Sequence, residues 1–121
     1  MQDLAVEYNS FTLEQYQALA QMVFETCPDA DGLLGVDMAI SCCMREAMQR
    51  GLHVPQDIAM VSIDGTYATA VGEKIITSVV QPIEEMAHQA VRIILDMVEG
   101  KGTVPLTTVL PVTLRMGDTT R

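Results

Sequence analysis

The chain has 121 residues, 49% of them hydrophobic and 19% charged, with seven basic side chains against sixteen acidic ones and a formal charge of −9. That length suits one compact domain with an ample core. The composition excludes a disordered segment, and the acidic balance argues against a surface that grips a phosphate backbone, which needs clustered Lys and Arg.

No apolar run is long enough for a membrane span, and Met1-Gln2-Asp3 does not open a secretory signal. The three cysteines are Cys27, Cys42 and Cys43. An odd count with two adjacent members fits neither a disulfide framework nor a zinc site, so they read as reduced, buried thiols of a cytosolic protein.

In chain order, Leu4 to Tyr8 is a short apolar-rich run that predicts a strand. Thr12-Leu13-Glu14-Gln15 has capping-box spacing and predicts the start of a helix. Leu13, Tyr16, Leu19, Ala20, Val23, Phe24 and Cys27 then recur at helical spacing. Pro28, Asp29 and Asp31 mark a loop. Gly32 to Val36 is continuously apolar and predicts a strand buried on both faces. Asp37 is placed to cap a helix over Met38 to Arg50, which Gly51 closes. Apolar residues of that helix cover more than one stripe, which calls for a second burying partner. Two readings stand: a deeply buried helix, or a subunit interface carried by Cys42, Met44 and Met48.

Pro55-Gln56-Asp57 leads into a strand over Ile58 to Ile63, stopped by Asp64-Gly65. A loop rich in Gly, Thr and Ala follows, then a strand over Ile75 to Val80 ended by Gln81-Pro82. Pro82 suits the first helical position, and Glu84 and Glu85 complement the helix dipole. Ile83, Met86, Ala87, Ala90, Val91, Ile94, Leu95 and Val98 form an amphipathic face, and Gly100 ends the helix. Val104 to Arg115 reads as extended chain broken by Pro105 and Pro111. The order β-α-β-α-β-β-α-β predicts an α/β fold with a mostly parallel sheet.

In open α/β sheets, ligands bind beyond the carboxyl ends of the strands. Three predicted strands end in polar residues: Asp37, Asp64 and Gln81. A carboxylate accepts hydrogen bonds from neighbouring hydroxyls, and an amide both donates and accepts. The set suits a polyhydroxylated small molecule, with Phe11 or Tyr67 as an aromatic cover. Taken singly, Asp37 and Gln81 also read as helix caps and Asp64-Gly65 as a turn. No dinucleotide fingerprint, phosphate loop or nucleophile elbow is present, and no cofactor motif. His53 and His88 have no Cys or carboxylate at metal-ligand spacing. Catalysis has no visible machinery.

Asp31-Gly32-Leu33-Leu34-Gly35-Val36-Asp37-Met38-Ala39, the segment Arg50-Gly51-Leu52-His53-Val54-Pro55-Gln56-Asp57-Ile58-Ala59, Val61-Ser62-Ile63-Asp64-Gly65-Thr66 and Ile76-Thr77-Ser78-Val79-Val80-Gln81-Pro82 fall in one order. Together with Leu110-Pro111-Val112-Thr113-Leu114-Arg115 and Gly117-Asp118-Thr119-Thr120, they resemble the C-terminal part of LacI/GalR transcriptional repressors. The run "GLxVPxDI", followed by "DG" and "QP", carries most of that resemblance. It implies a Rossmann-like, mostly parallel sheet flanked by helices, a partial type I periplasmic-binding-protein-like fold. It implies a cytoplasmic, homodimeric regulator whose sugar or sugar-phosphate effector alters operator affinity, the DNA being held by an N-terminal helix-turn-helix head outside this chain.

By the same resemblance, most of the first subdomain is outside the chain as well, and the helix over 82–100 belongs to that subdomain. Asp64 and Gln81 match effector contacts, and Phe11 roughly matches an aromatic contact. Asp37 mainly supports the site. Val36 replaces the usual Asn, a departure that points to altered effector chemistry, while the "IDGT" element leans towards ribose-like sugars. A periplasmic sugar-binding protein shares the fold and is the alternative reading.

Overall fold

The computed structural model describes residues 12–65, 70–101 and 107–121. The elements are α1 (Leu13–Thr26), β1 (Gly32–Val36), α2 (Asp37–Gln49), β2 (Ala59–Asp64), β3 (Ala70–Val71), β4 (Lys74–Ile75), β5 (Thr77–Val80), α3 (Ile83–Val98) and β6 (Thr113–Arg115). The strand expected at Leu4 to Tyr8 lies outside the described residues. The chain forms two units, residues 1–80 with 114–121, and residues 81–113.

Local chemistry sets the helix ends. Thr12 accepts from the Gln15 N–H at 3.4 Å while the Gln15 side chain accepts from the Thr12 N–H at 3.0 Å, so the capping box forms. At the end of α2, Gly51 takes φ 77°. Its N–H donates to the Met48 carbonyl and the Leu52 N–H to the Ala47 carbonyl, which satisfies carbonyls the helix leaves open.

The sheet runs β1-β2-β5-β6, and the β1–β2 and β2–β5 pairings are parallel. In register, Leu33 faces Met60, Gly35 faces Ser62, and Ser62 faces Ser78. These residues share one side of the sheet, the side on which α2 packs and α1 packs behind it. Gly35 leaves room there for Ile40, whose Cδ1 lies 3.5 Å from where a β-carbon would stand. Met44, Ile58, Met60 and Ile76 are fully buried in the core between these layers. Each such side chain contributes roughly 1.5–3 kcal/mol by leaving water.

A polar seam holds the amino end of the sheet. The Thr119 hydroxyl donates to the Met60 carbonyl at 2.6 Å and accepts from the Thr77 N–H at 2.9 Å. The Met60 N–H donates to the Thr119 carbonyl at 2.8 Å. Asp118 adds two bonds to Ile75, and Thr120 one to Thr77. Gly117 lies so close to the Ile75 carbonyl that no β-carbon fits. The final residues therefore tie β2 to β5.

Several expectations are corrected. β1 is not buried on both faces. Among the described residues it lies at the edge of the sheet, its burial alternates, and Leu34 is 68% exposed, because the described helices cover only one side of it. The strand expected over Ile75 to Val80 is split. Lys74–Ile75 pairs antiparallel with Ala70–Val71 around Gly72, at φ 63°, and the chain rejoins the main sheet at Thr77. Ile75 spends its backbone on Asp118 instead.

Pro82 is the N-cap of α3, not its first helical residue, and Gln81 precedes the cap. Asp37 is the first residue of α2 and not its cap; Val36 occupies that position without a side-chain bond. For α2 the buried-helix reading accounts for Met44 and Cys42. Both side chains lie in the chain's own core, whereas Met48 is 54% exposed. In the second unit, α3 has the expected apolar face, yet none of its residues is buried there.

Thr119→Val keeps the shape of the seam but leaves a buried carbonyl and a buried N–H without their shared hydroxyl. Urea unfolding should show a loss of about 2–4 kcal/mol, the cost of two buried groups losing partners. A loss under about 0.5 kcal/mol, within the range of ordinary surface changes, would show that the seam does not hold the sheet.

Candidate functional site

The parallel register places the carboxyl ends of β1 and β2 side by side, with Val36 opposite Ile63, and sets Asp64 opposite Val80 at the end of β5. The chain leaves β2 through an unusual turn. Asp64 has φ 106° and Gly65 has φ 69°. For a residue with a β-carbon, a sparsely populated backbone conformation of this kind costs on the order of 1–3 kcal/mol and persists only where the surroundings enforce it. Such strain clusters at sites that hold ligands.

Two neighbours enforce it. A β-carbon at Gly65 would stand 2.6 Å from Val80 Cγ2 and 2.7 Å from Val80 Cα, so only glycine allows the turn to lie against β5. The Gly65 N–H also donates to Asp37 Oδ1 at 3.3 Å. Asp37 itself is buried, 4% exposed, at the start of α2. Its carboxyl group thus reaches the turn, and an acidic group in a first turn also suits the helix dipole.

Of the residues singled out in the sequence, the structure brings Asp37 and the Asp64-Gly65 turn together. Val36 is at the tip of β1 but shares a sheet face with Leu34 and Ile63, its register partner being Ile63. Gln81 opens the second unit, and its carbonyl accepts from the Ile83 N–H at 2.9 Å. Phe11 and Tyr67 lie outside the described residues. Gly65 and Val80 were not singled out as a fitted pair. The Asp-Gly dipeptide signals a turn, but the approach to Val80 depends on strand register, which no local pattern contains.

Other reactive groups are accounted for. His53 has a carboxylate partner in Asp57: its Nδ1 lies 3.1 Å from Asp57 Oδ2, and its N–H donates to the same oxygen at 2.6 Å. The backbone bond from His53, aided by the ring, holds the Asp57 carboxyl below its ordinary range. Among the described residues, no three His, Cys, Asp or Glu side chains gather as metal ligands. All three cysteines are free thiols. Burial, with smaller contributions from Cys42 and Glu46, pushes the Cys43 thiol up to about 12. Burial also raises Cys42, partly offset by Arg45. Neither is an activated nucleophile, because the thiolate is the reactive form.

The model of the periplasmic binding protein-like domain family matches residues 4–120. The HTH-type transcriptional regulator CelR of Thermobifida fusca is 30% identical over 106 residues, which cover 87% of this chain and 31% of that protein. The ribose operon repressor of Bacillus subtilis (strain 168) is 26% identical over 117 residues, covering 96% of this chain and 36% of that one. A solved structure of a transcriptional regulator CelR–cellobiose complex superposes with a TM-score of 0.82 at 28% identity, over 93% of this chain and 35% of that one. The chain thus spans about a third of the length of these relatives, 31% to 36%.

Two measurements check this description. Gly65→Ala should lower stability by more than ~1 kcal/mol in urea unfolding, since the new methyl meets the Val80 backbone in a left-handed conformation; an unchanged midpoint would show that the turn is not fitted against β5. In iodoacetamide labelling at pH 8, Cys43 should stay unmodified in the folded chain, its thiolate fraction being about one part in 10⁴. It should react once guanidinium unfolds the protein.

Proposed function

Since the chain belongs to the periplasmic binding protein-like domain family, we propose that it is the effector-sensing part of a LacI-type transcriptional repressor. In this reading it binds a sugar or sugar phosphate and passes that event to operator-bound DNA-reading elements outside these residues. The observation that carries the reading is the strained Asp64-Gly65 turn at the carboxyl end of a parallel sheet. It lies within the segment that matches sugar-operon regulators.

Asp64 is the primary contact in this proposal: its side chain accepts hydrogen bonds from sugar hydroxyls in the complete protein. Gln81 is the second, supported by the resemblance of the Val80-Gln81-Pro82 segment to the family pattern. Phe11 is kept as an aromatic contact on the same ground. Val36, which stands where the family pattern has Asn, contributes an apolar tip to β1 and favours an effector with one fewer polar group to satisfy there.

The DNA contact belongs to a helix-turn-helix head; a chain with a charge of −9 offers no cluster of cations for phosphate. Assembly is as a homodimer, in which α2 offers the exposed Met48 and not Met44 or Cys42. The relatives are transcriptional regulators, which supports a non-enzymatic, cytoplasmic role. Among the described residues, no helix is long and apolar enough to cross a membrane.

Calorimetry of the complete protein against a panel of mono- and disaccharides, with cellobiose and ribose included, tests the proposal. At least one sugar should bind, and Asp64→Asn and Gln81→Ala should each weaken it by about ten- to a hundredfold, the equivalent of ~1–3 kcal/mol for a buried hydrogen-bonding group. Folding should survive, since both residues lie at element ends and outside the core. Wild-type affinity in both folded variants would return the two residues to purely structural roles.

A further inference from the structure

The two units are joined by two passages of chain, Val80 to Gln81 and Thr113 to Leu114. Both leave from neighbouring strands, since β5 ends at Val80 and β6 spans Thr113 to Arg115. A proline stands just beyond each passage, Pro82 on one and Pro111 on the other. Proline locks φ, and Pro82 takes φ −80°. Backbone freedom is thereby concentrated in the few bonds between each proline and the sheet.

The sheet side of the passages is held by side chains. At the start of β5, the Thr77 hydroxyl accepts from the Gly117 N–H at 3.0 Å and lies 2.9 Å from the Thr120 hydroxyl. One residue on, Arg115 reaches from β6 to β5, and its Nη2 donates to Ser78 Oγ at 3.5 Å. Ser78 Oγ also lies 2.6 Å from Ser62 Oγ on β2 and donates to the Ile76 carbonyl at 3.2 Å. Both serines are fully buried, and so is Nε of Arg115.

The proton count explains why a cation suits this place. A hydroxyl has one proton and two lone pairs. With the Ser78 proton on Ile76, Ser62 is the donor of the bond between the serines, and the second lone pair of Ser78 takes a donor from Arg115. Burying part of a guanidinium is costly unless its N–H groups find acceptors. Its planar fork is also more rigid than an ammonium, so it fixes the spacing of what it joins.

We propose that Arg115 is a positioning residue for the two passages. Acting through Ser78, it keeps the ends of β5 and β6 in one fixed relation, so that the passages turn as a single hinge and not as two independent tethers. Gln81, the second contact in the effector reading, is the first residue beyond that hinge. The proposal goes beyond that reading and is tested without a sugar, so the two fail separately.

The test uses the ¹⁵N-labelled chain with Arg115→Met, Ser78→Ala and the double variant. Each single change should speed amide exchange at Val79 and Val80 by about fivefold or more, while amides of α2 change by less than about twofold. The double variant should exceed the larger single effect by no more than about twofold, because both changes remove one contact. ¹⁵N relaxation supplies a readout that a plain loss of packing leaves alone. The apparent correlation time of α3 amides, relative to that of α2 amides, should fall by about a fifth or more in Arg115→Met. Multiplied effects in the double variant, equal acceleration throughout α2, or an unchanged α3 to α2 ratio would each overturn the inference. If Arg115→Met does not fold, Arg115→Lys, which keeps the charge but loses the planar fork, takes its place with the same expected and overturning results.

Discussion

A single hydroxyl sets the register on which the candidate site depends. Thr119 bonds at once to the Met60 carbonyl on β2 and to the Thr77 N–H that begins β5. A slip of one residue in a parallel sheet would turn every side chain to the other face. With the amino ends fixed, Asp64 comes to lie opposite Val80, and Gly65 meets Val80 at a distance only glycine tolerates. The two ends of the sheet thus have opposite tasks. One is tied by a dense set of buried hydrogen bonds, and the other carries a strained turn.

The helices obey the same division. α2 contributes its middle to the core through Ile40, Cys43, Met44 and Ala47, and its first residue to the turn. Arg50 at its end stacks over the Phe24 ring at 5.4 Å and pairs with Glu46 at 2.7 Å, which braces α2 against α1. Such exposed pairs add little stability by themselves, and here the packing of the Arg stem counts as much as the charge. The carboxyl group of Asp37 is thereby mounted on the most firmly packed element of the unit.

Much of this was legible in the sequence. The capping box at Thr12, the glycine stop at Gly51 and the apolar runs of β1 and β2 depend on neighbours a few residues away, and they formed as their patterns predict. What was not legible depends on distant partners. The apolar run of β1 gave no sign that Leu34 would be exposed among the described residues. The strand over 75–80 broke because Asp118, 43 residues away, takes the Ile75 N–H. Asp37 has the chemistry of a cap, but its carboxylate also accepts the backbone N–H of Gly65 from the turn after β2, a partner 28 residues away. The excess of apolar residues on α2 left core and interface undecided, since a periodic pattern counts stripes but cannot say what covers each one.

The side of the sheet that carries Leu34 has a further physical consequence. Leu34 and Val61 are register partners there, as are Val36 and Ile63, and Ile63 also pairs with Val79. Among the described residues nothing buries Leu34, and a parallel sheet ordinarily has cover on both sides. Colloidal behaviour then rests on charge. At neutral pH the −9 charge keeps copies apart. Near the isoelectric point of about 4.4 that repulsion vanishes, and at high ionic strength it is screened within a few ångströms. Under either condition charge no longer opposes contact between exposed apolar side chains such as Leu34, so acidity and salt bear directly on how copies of this chain associate.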